Sequence, residues 1–258
     1  MLEICVAGAT GWTGSAVAEG VLDAEDLNLR SAVARSAAGR RVGGAPVFGS
    51  VREALDGVDV LIDYTSHLVV KQNVLTAVER EVAVVVGTSG LTADDYGEID
   101  AAARSRGVGV VAAGNFSLTA AMAQAGALLA ARHLPHWEIV DYASATKPDA
   151  PSGTASELAE RLAEVRSPVH ERAPDDVEGP REARGATVGG AQVHSVRLPS
   201  FVVSTEVVFA LPDERLAIRH DAGGSPAPYV AGTLLAARKA PGRVGLTRGL
   251  DAVLLESD

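Results

Sequence analysis

Between Leu2 and Ala113 the chain alternates short apolar runs with longer amphipathic stretches, and that rhythm leaves few architectures open. Leu2–Ala7, Leu29–Ala34, Val58–Tyr64, Val82–Val86 and Val108–Ala113 read as strands, and Val58–Tyr64 is broken only by acids, as a strand buried on both faces is. Gly14–Leu22, His67–Arg80 and Thr92–Arg106 read as helices between them. Strands joined through helices pair in parallel, and right-handed crossovers wind them into an open sheet with helices on both faces.

The rhythm changes after Asn115. Leu118–His133 is an alanine-rich helix and Trp137–Ala143 a strand. Thr154 to Arg166 reads as a helix, with Thr154 and Glu157 spaced as a capping box, and Ser167–Arg184 as an exposed polar loop. Three β-rich runs follow, Ala186–Leu198, Phe201–Leu211 and Arg215–His220, and Ala227–Lys239 closes the series as a helix. Consecutive strands without helices imply a mixed or antiparallel sheet. The expected fold class is therefore α/β, with two domains. Residues 1–116 and 226–258 form a doubly wound parallel-sheet (Rossmann-like) dinucleotide domain. Residues 117–225 form an α+β domain for substrate binding and oligomerisation. A length of 258 residues supports two cores, and with aromatics at 4% those cores must be built from Val, Leu, Ile and Ala.

Gly8-Ala9-Thr10-Gly11-Trp12-Thr13-Gly14 joins the first strand to the first helix. Gly8 permits the tight turn, Gly11 lets a pyrophosphate approach the backbone, and Gly14 lets the helix press on the sheet. Any tight strand-to-helix turn uses glycine, so the signal lies in the position, the chain's first strand–helix junction. At the end of the second strand an acid would select the 2′-hydroxyl of NAD. Here stand Arg35 and Ser36, with Arg40 and Arg41 nearby. An arginine and a hydroxyl suit a 2′-phosphate, so NADPH is the preferred cofactor expected, with NADH possible; a solvated basic turn would read the same way.

Lys147-Pro148-Asp149-Ala150-Pro151-Ser152-Gly153-Thr154 sets an amine and a cluster of donors before a helix. A helix start suits a carboxylate, and Lys147 adds a charge or a proton. An ordinary capped helix and a surface lysine would look alike. The expected partner is a small-molecule carboxylate held by Ser152, Gly153 and Thr154, with Lys147 catalytic. Asp141, Tyr142 and Glu206 are weaker acid candidates.

A net charge of −10 argues against nucleic acid and anionic membranes as partners. Cys5 lies in an apolar strand and excludes an intramolecular disulfide. No signal peptide or membrane span is expected, so the chain is expected to be soluble and cytoplasmic. His67 follows a strand end where ligands collect, whereas His133, His136, His170, His194 and His220 lack metal-ligand spacing, and no metal site is expected.

These motifs together resemble the dihydrodipicolinate reductase (4-hydroxy-tetrahydrodipicolinate reductase) family of bacterial lysine and diaminopimelate synthesis, over nearly the whole length. Gly8–Gly14 matches the cofactor loop, and Asp63-Tyr64-Thr65 stands at a strand end. Gly87-Thr88-Ser89-Gly90 resembles the nicotinamide-side G-T-T-G loop, and Ala113-Gly114-Asn115-Phe116-Ser117 the A-x-N-F-S segment at the crossing between domains. Lys147 through Ala155 matches K-x-D-A-P-S-G-T-A, the most specific of these. The resemblance implies cofactor contacts at Gly8, Ala9, Thr10, Gly11, Trp12, Thr13, Tyr64, Thr65, Gly87, Thr88, Ser89, Ala113, Gly114, Asn115 and Phe116. It also implies a substrate carboxylate on the Ser-Gly-Thr turn, and a homotetramer built through the C-terminal sheets.

The chain departs from the family in one place that matters. Members usually carry H-H-x-H before the lysine, its first histidine taken as proton donor, where this chain reads Ala143-Ser144-Ala145-Thr146; a usual G-E-H is Val203-Ser204-Thr205. The reaction implied is hydride transfer to a C=N or conjugated C=C bond of a small carboxylated cyclic imine or related substrate. An imine reductase or amine dehydrogenase of a secondary pathway, and a non-catalytic NADP-binding sensor, are the alternatives.

Overall fold

Apolar runs and amphipathic stretches do fold as strand and helix in turn in the computed structural model, which describes residues 1–255. Strand β1 (Leu2–Ala7) leads through α1 (Trp12–Asp23) to β2 (Leu27–Val33), followed by β3 (Arg41–Val42) and β4 (Ala45–Phe48). Next come α2 (Val51–Ala54), β5 (Val60–Asp63), α3 (Val70–Glu79), β6 (Ala83–Val86), α4 (Ala93–Arg106) and β7 (Gly109–Ala112). Helix α5 (Leu118–Ala131), β8 (His136–Ala143) and α6 (Gly153–Val165) precede β9 (Ala186–Val188), β10 (Ala191–Arg197), β11 (Val203–Leu211) and β12 (Glu214–Asp221). Helix α7 (Ala227–Lys239), β13 (Gly245–Arg248) and α8 (Leu250–Leu254) follow. The chain divides into two compact units, Met1–Leu118 with the chain from Ser225 onward, and Thr119–Gly224.

The first unit holds an eight-stranded sheet ordered β13-β7-β6-β5-β1-β2-β4-β3, parallel except for the β3–β4 hairpin. Cys5, Leu61, Val84 and Val110 meet Val74 and Val78 of α3 and Ile99 and Ala103 of α4. The opposite parity, Ile4, Val6, Ile62, Val85 and Val111, is equally buried. Coverage of both faces explains why these strands carry no polar alternation. From β1 the chain winds outward through β2 and β4, then returns to lay β5, β6 and β7 on the other side. The reversal makes the junction of β1 and β5 a topological switch point, where open α/β sheets bind ligands beyond the carboxyl ends of the strands.

The second unit is a five-stranded mixed sheet ordered β12-β11-β8-β10-β9, with only β8 and β10 parallel. On β8 every second residue, Trp137, Ile139, Asp141 and Ala143, is buried. Trp137 and Ile139 pack with Phe209 against Ala155, Leu158, Ala159 and Leu162 of α6. The other face of β8 carries the half-buried His136, Glu138, Val140 and Tyr142.

Three expectations are corrected. The run Ala186–Leu198 is a hairpin, because Gly189 and Gly190 at φ 56° and 83° turn the chain between β9 and β10. Helix α6 is capped by Ser152, whose Oγ accepts from the Ala155 N–H at 3.3 Å, and Glu157 lies buried one turn inside it. The Thr154–Glu157 box therefore does not start the helix. β3, β4, α2, β13 and α8, two to five residues each, were not anticipated, being too short to show a period. No helix among the described residues is long and apolar enough to cross a membrane.

Candidate functional site

In the first unit the loops after β1, β2, β5, β6 and β7 leave the same carboxyl edge of the sheet. Two glycines of the first loop are dictated by backbone crowding. A Cβ on Gly8, at φ 82°, would stand 2.1 Å from the Tyr64 carbonyl oxygen, and one on Gly14 would stand 2.2 Å from the Gly8 carbonyl oxygen. Gly11 differs, since a Cβ there would meet only the Gly8 oxygen, at 3.2 Å. What Gly11 preserves is bare backbone toward the open side of the loop. Helix α1 begins there with no side-chain cap and no acid in its first turn, so its N–H dipoles face outward. A helix start stripped of carboxylates beside a close-approach glycine fits the pyrophosphate of a dinucleotide.

Following β2, Arg35 and Ser36 sit in an exposed 3₁₀ turn. Among the described residues the side chains of Arg35 and Arg40 have no hydrogen-bond or ion-pair partner, whereas Arg41 bonds the Gly44 carbonyl. Two uncommitted guanidinium groups beside the glycine loop fit a phosphate on the adenosine ribose.

The loops after β5 and β6 are organised by a residue that pattern reading left out of the site. Asp63 is fully buried and accepts from the Thr65 N–H at 3.0 Å, the Thr65 hydroxyl at 2.7 Å, the Thr88 hydroxyl at 2.7 Å and the Asn73 amide at 2.8 Å. The hydroxyls of Thr65 and Thr88, and the Thr65 N–H, are thus spent inside the protein. Tyr64 also turns inward. Its ring lies against Gly87, where a Cβ would come within 2.1 Å, and its hydroxyl pairs with Thr233 Oγ1 at 2.7 Å. Burial pushes the Tyr64 phenol up, so it stays neutral and structural. Phe116 is buried, edge-on to Tyr64 at 6.3 Å, and the Asn115 side chain accepts from the Ser117 N–H at 2.9 Å. Ser89 and Gly114 are exposed, Ala113 is buried, and His67 packs its Cβ under Gly90. Thr10 and Trp12 are exposed on the first loop, with Thr13 half-buried and Ala9 buried.

In the second unit the Lys147–Thr154 turn is clamped from beneath. Asp141, wholly buried, accepts from the Ser152 N–H at 2.8 Å, the Ser152 hydroxyl at 2.7 Å, the Ser195 hydroxyl at 3.2 Å and Arg197 Nη2 at 2.8 Å. Arg197 Nη2 also donates to the Asp149 carbonyl at 2.7 Å. Ser152 is therefore a cap and an anchor, with its hydroxyl unavailable to a substrate. Both Asp141 carboxylate oxygens are spent on these internal donors. Gly153 and Thr154 occupy the first turn of α6, and Lys147 Nζ pairs with Asp149 at 2.8 Å, its side chain 27% exposed. Ala143 is fully buried, and Thr205 is buried beside Asp141 on the paired strand. Tyr142 gives its hydroxyl to Glu206 at 3.2 Å and is pushed up by burial and by that carboxylate.

Both organising acids had a local signal. Asp63 interrupts a continuous apolar strand, and Asp141 falls on the inward parity of β8; a carboxylate in either place needs buried partners. Arg197 had none, since its partners are about fifty residues away.

The model of the dihydrodipicolinate reductase N-terminus matches residues 2–116, and that of the C-terminus residues 114–254. A 4-hydroxy-tetrahydrodipicolinate reductase of Listeria monocytogenes is 34% identical, covering 98% of this chain and 100% of the relative. The dipicolinate-bound dihydrodipicolinate reductase of Paenisporosarcina sp. TG-14 superposes with a TM-score of 0.79 at 26% identity, covering 98% of this chain and 99% of the other. GenD2 from gentamicin A biosynthesis, solved in complex with NAD, shares the fold alone, with a TM-score of 0.66 at 17% identity over 98% of this chain and 90% of the other.

Proposed function

The chain belongs to the dihydrodipicolinate reductase family, and from that premise we propose which substrate class, cofactor and residues this NAD(P)H-dependent oxidoreductase uses. The substrate is a small cyclic imine or conjugated ene-carboxylate, and the cofactor preferred is NADPH. A bound reduced nicotinamide supplies the hydride. The loops around Gly11, Thr65, Thr88 and Asn115 hold the dinucleotide through backbone, with Arg35, Ser36 and Arg40 on its 2′-phosphate. The first turn of α6, Gly153 and Thr154, receives the substrate carboxylate. Lys147 neutralises that acid and delivers a proton from Nζ, the role for which Ala143 leaves no histidine. The observation that carries this reading is the clamped turn: a buried ion pair of Asp141 with Arg197 holds K-x-D-A-P-S-G-T-A in one shape. By the same family reading the protein is a cytoplasmic homotetramer assembled through its C-terminal sheets, the unit from Thr119 to Gly224 being the substrate and oligomerisation domain.

One observation favours a second reading, a related imine carboxylate from a secondary pathway. The positions of both family histidine motifs, at Ala143–Thr146 and Val203–Thr205, carry no titratable side chain. Turnover of NADPH with 4-hydroxy-tetrahydrodipicolinate at rates typical of the family, competitively inhibited by dipicolinate and lost in Lys147→Met, supports the first reading. Tight NADPH binding without turnover of that substrate refutes it and supports the second.

A further inference from the structure

The chain has only ten aromatic residues, two Trp, four Tyr and four Phe, and it places one of the largest in solvent. Trp12 is 53% exposed, the only aromatic among the large exposed hydrophobic residues described. It is the first residue of α1, directly after the close-approach glycine Gly11.

The direction in which Trp12 leans is set by its neighbours. Its indole meets the Tyr229 ring edge-on, centroids 6.0 Å apart and planes at 64°. Tyr229 lies in the first turn of α7, and its carbonyl accepts the Thr233 hydroxyl at 2.7 Å. Thr233 Oγ1 in turn pairs with Tyr64 at the end of β5, whose ring covers Gly87 at the end of β6. Trp12 is thereby tied, ring to ring and hydroxyl to hydroxyl, to the β5 and β6 loops. Arg35 lies after β2, on the other flank of β1. In a doubly wound dinucleotide fold the two flanks hold the two nucleotides, and the end of β2 takes the adenosine ribose. Trp12 leans toward the β5 and β6 flank, away from the end of β2.

We propose that Trp12, backed by Tyr229, is the stacking wall for the nicotinamide–ribose half of the dinucleotide. The inference rests on the cofactor reading above and deepens it: the loop contributes an aromatic side chain as well as backbone. An aromatic wall excludes water from one side of the nicotinamide–ribose moiety and limits its tilt, while leaving the adenosine half untouched.

Fluorescence and binding titrations test this without turnover. Trp12 and the buried Trp137 are the only indoles, and Trp137 lies in the core of the second sheet. NADP⁺, which does not absorb tryptophan emission, is expected to quench the wild type by contact and to leave Trp12→Phe unquenched. 2′,5′-ADP, which lacks the nicotinamide, is expected to quench neither. Trp12→Ala is expected to weaken NADPH about tenfold, as loss of one stacking partner does, with the Kd for 2′,5′-ADP held within about twofold. Trp12→Phe, which keeps a ring, is expected to retain NADPH within about threefold. Unchanged NADPH affinity in Trp12→Ala, equal weakening of both ligands, or absence of quenching in the wild type overturns the proposal. A wild type that binds neither NADPH nor NADH overturns the cofactor reading itself, a result read before any variant is made.

Discussion

Replacing Asp141 with alanine removes the acceptor on which the Lys147–Thr154 turn is built. Four donors lose this acceptor: the Ser152 N–H and hydroxyl, the Ser195 hydroxyl and Arg197 Nη2, the last keeping only the Asp149 carbonyl. Separate penalties do not add, because these groups form one network. The dominant cost is the Arg197 guanidinium, whose side chain is only 17% exposed and which would be left without a counter-charge. Breaking a buried pair from one side costs about 3–5 kcal/mol. For a chain of this size that is a fall in Tm of roughly 10 °C. The assay is thermal unfolding followed by far-ultraviolet circular dichroism and by Trp137 emission, in a Trp12→Phe background so that only the second unit reports. The double variant Asp141→Leu, Arg197→Met deletes both charges and is expected to recover much of the loss, since well-packed apolar replacement of a buried pair is often neutral. A loss below about 1 kcal/mol in Asp141→Ala, or a double variant no better than the single, would refute the claim that this ion pair holds the turn.

Gly14→Ala sets a Cβ 2.2 Å from the Gly8 carbonyl oxygen, so the loop must shift; NADPH affinity measured by calorimetry is expected to drop by at least tenfold, about 1.4 kcal/mol. Arg35→Ala with Arg40→Ala is expected to raise the KM for NADPH by about ten- to a hundredfold, the size of a lost charge-assisted phosphate contact, with the KM for NADH unchanged. Equal effects on both cofactors would remove the 2′-phosphate role. Asp95 caps α4 through Thr92, and the Lys71 ammonium, then the Thr92 donors, lower its carboxyl from 3.8 to about 2. A depressed carboxylate stabilises the fold above its unfolded pKa and loses that effect as pH falls through the folded one. Asp95→Asn is therefore expected to lower the Tm slightly at pH 7, with the gap to wild type closing between pH 3.8 and about 2.

Local signals went far in the first unit. The alternation of Leu2–Ala7, Val58–Tyr64 and Val82–Val86 with helical stretches encodes a parallel sheet, since strand burial on both faces is written in consecutive residues. The glycine loop was equally legible, because Gly8 and Gly14 answer to steric limits only glycine meets. Reading was weaker where partners are remote. Thr65, Thr88 and Ser152 all look like ligand hydroxyls in sequence, and all three are consumed by buried carboxylates, two by Asp63 and one by Asp141. Thr154 and Glu157 had capping-box spacing, yet Ser152 won the cap because it alone could serve α6 and Asp141 together.

By itself, then, the amino-acid order specified the layer architecture, the first loop's backbone, the lysine-to-threonine turn and the absence of the family's histidines. Those depend on periods, steric exclusions and residue types within a few positions. The fold decided which hydroxyls are consumed internally, which acids serve as internal anchors, and that Trp12 rests on Tyr229 some two hundred residues away. Such outcomes turn on competition among distant donors for a few buried carboxylates and rings, which is settled only when β-strands and helices bring them within about 3 Å for hydrogen bonds and about 6 Å for rings.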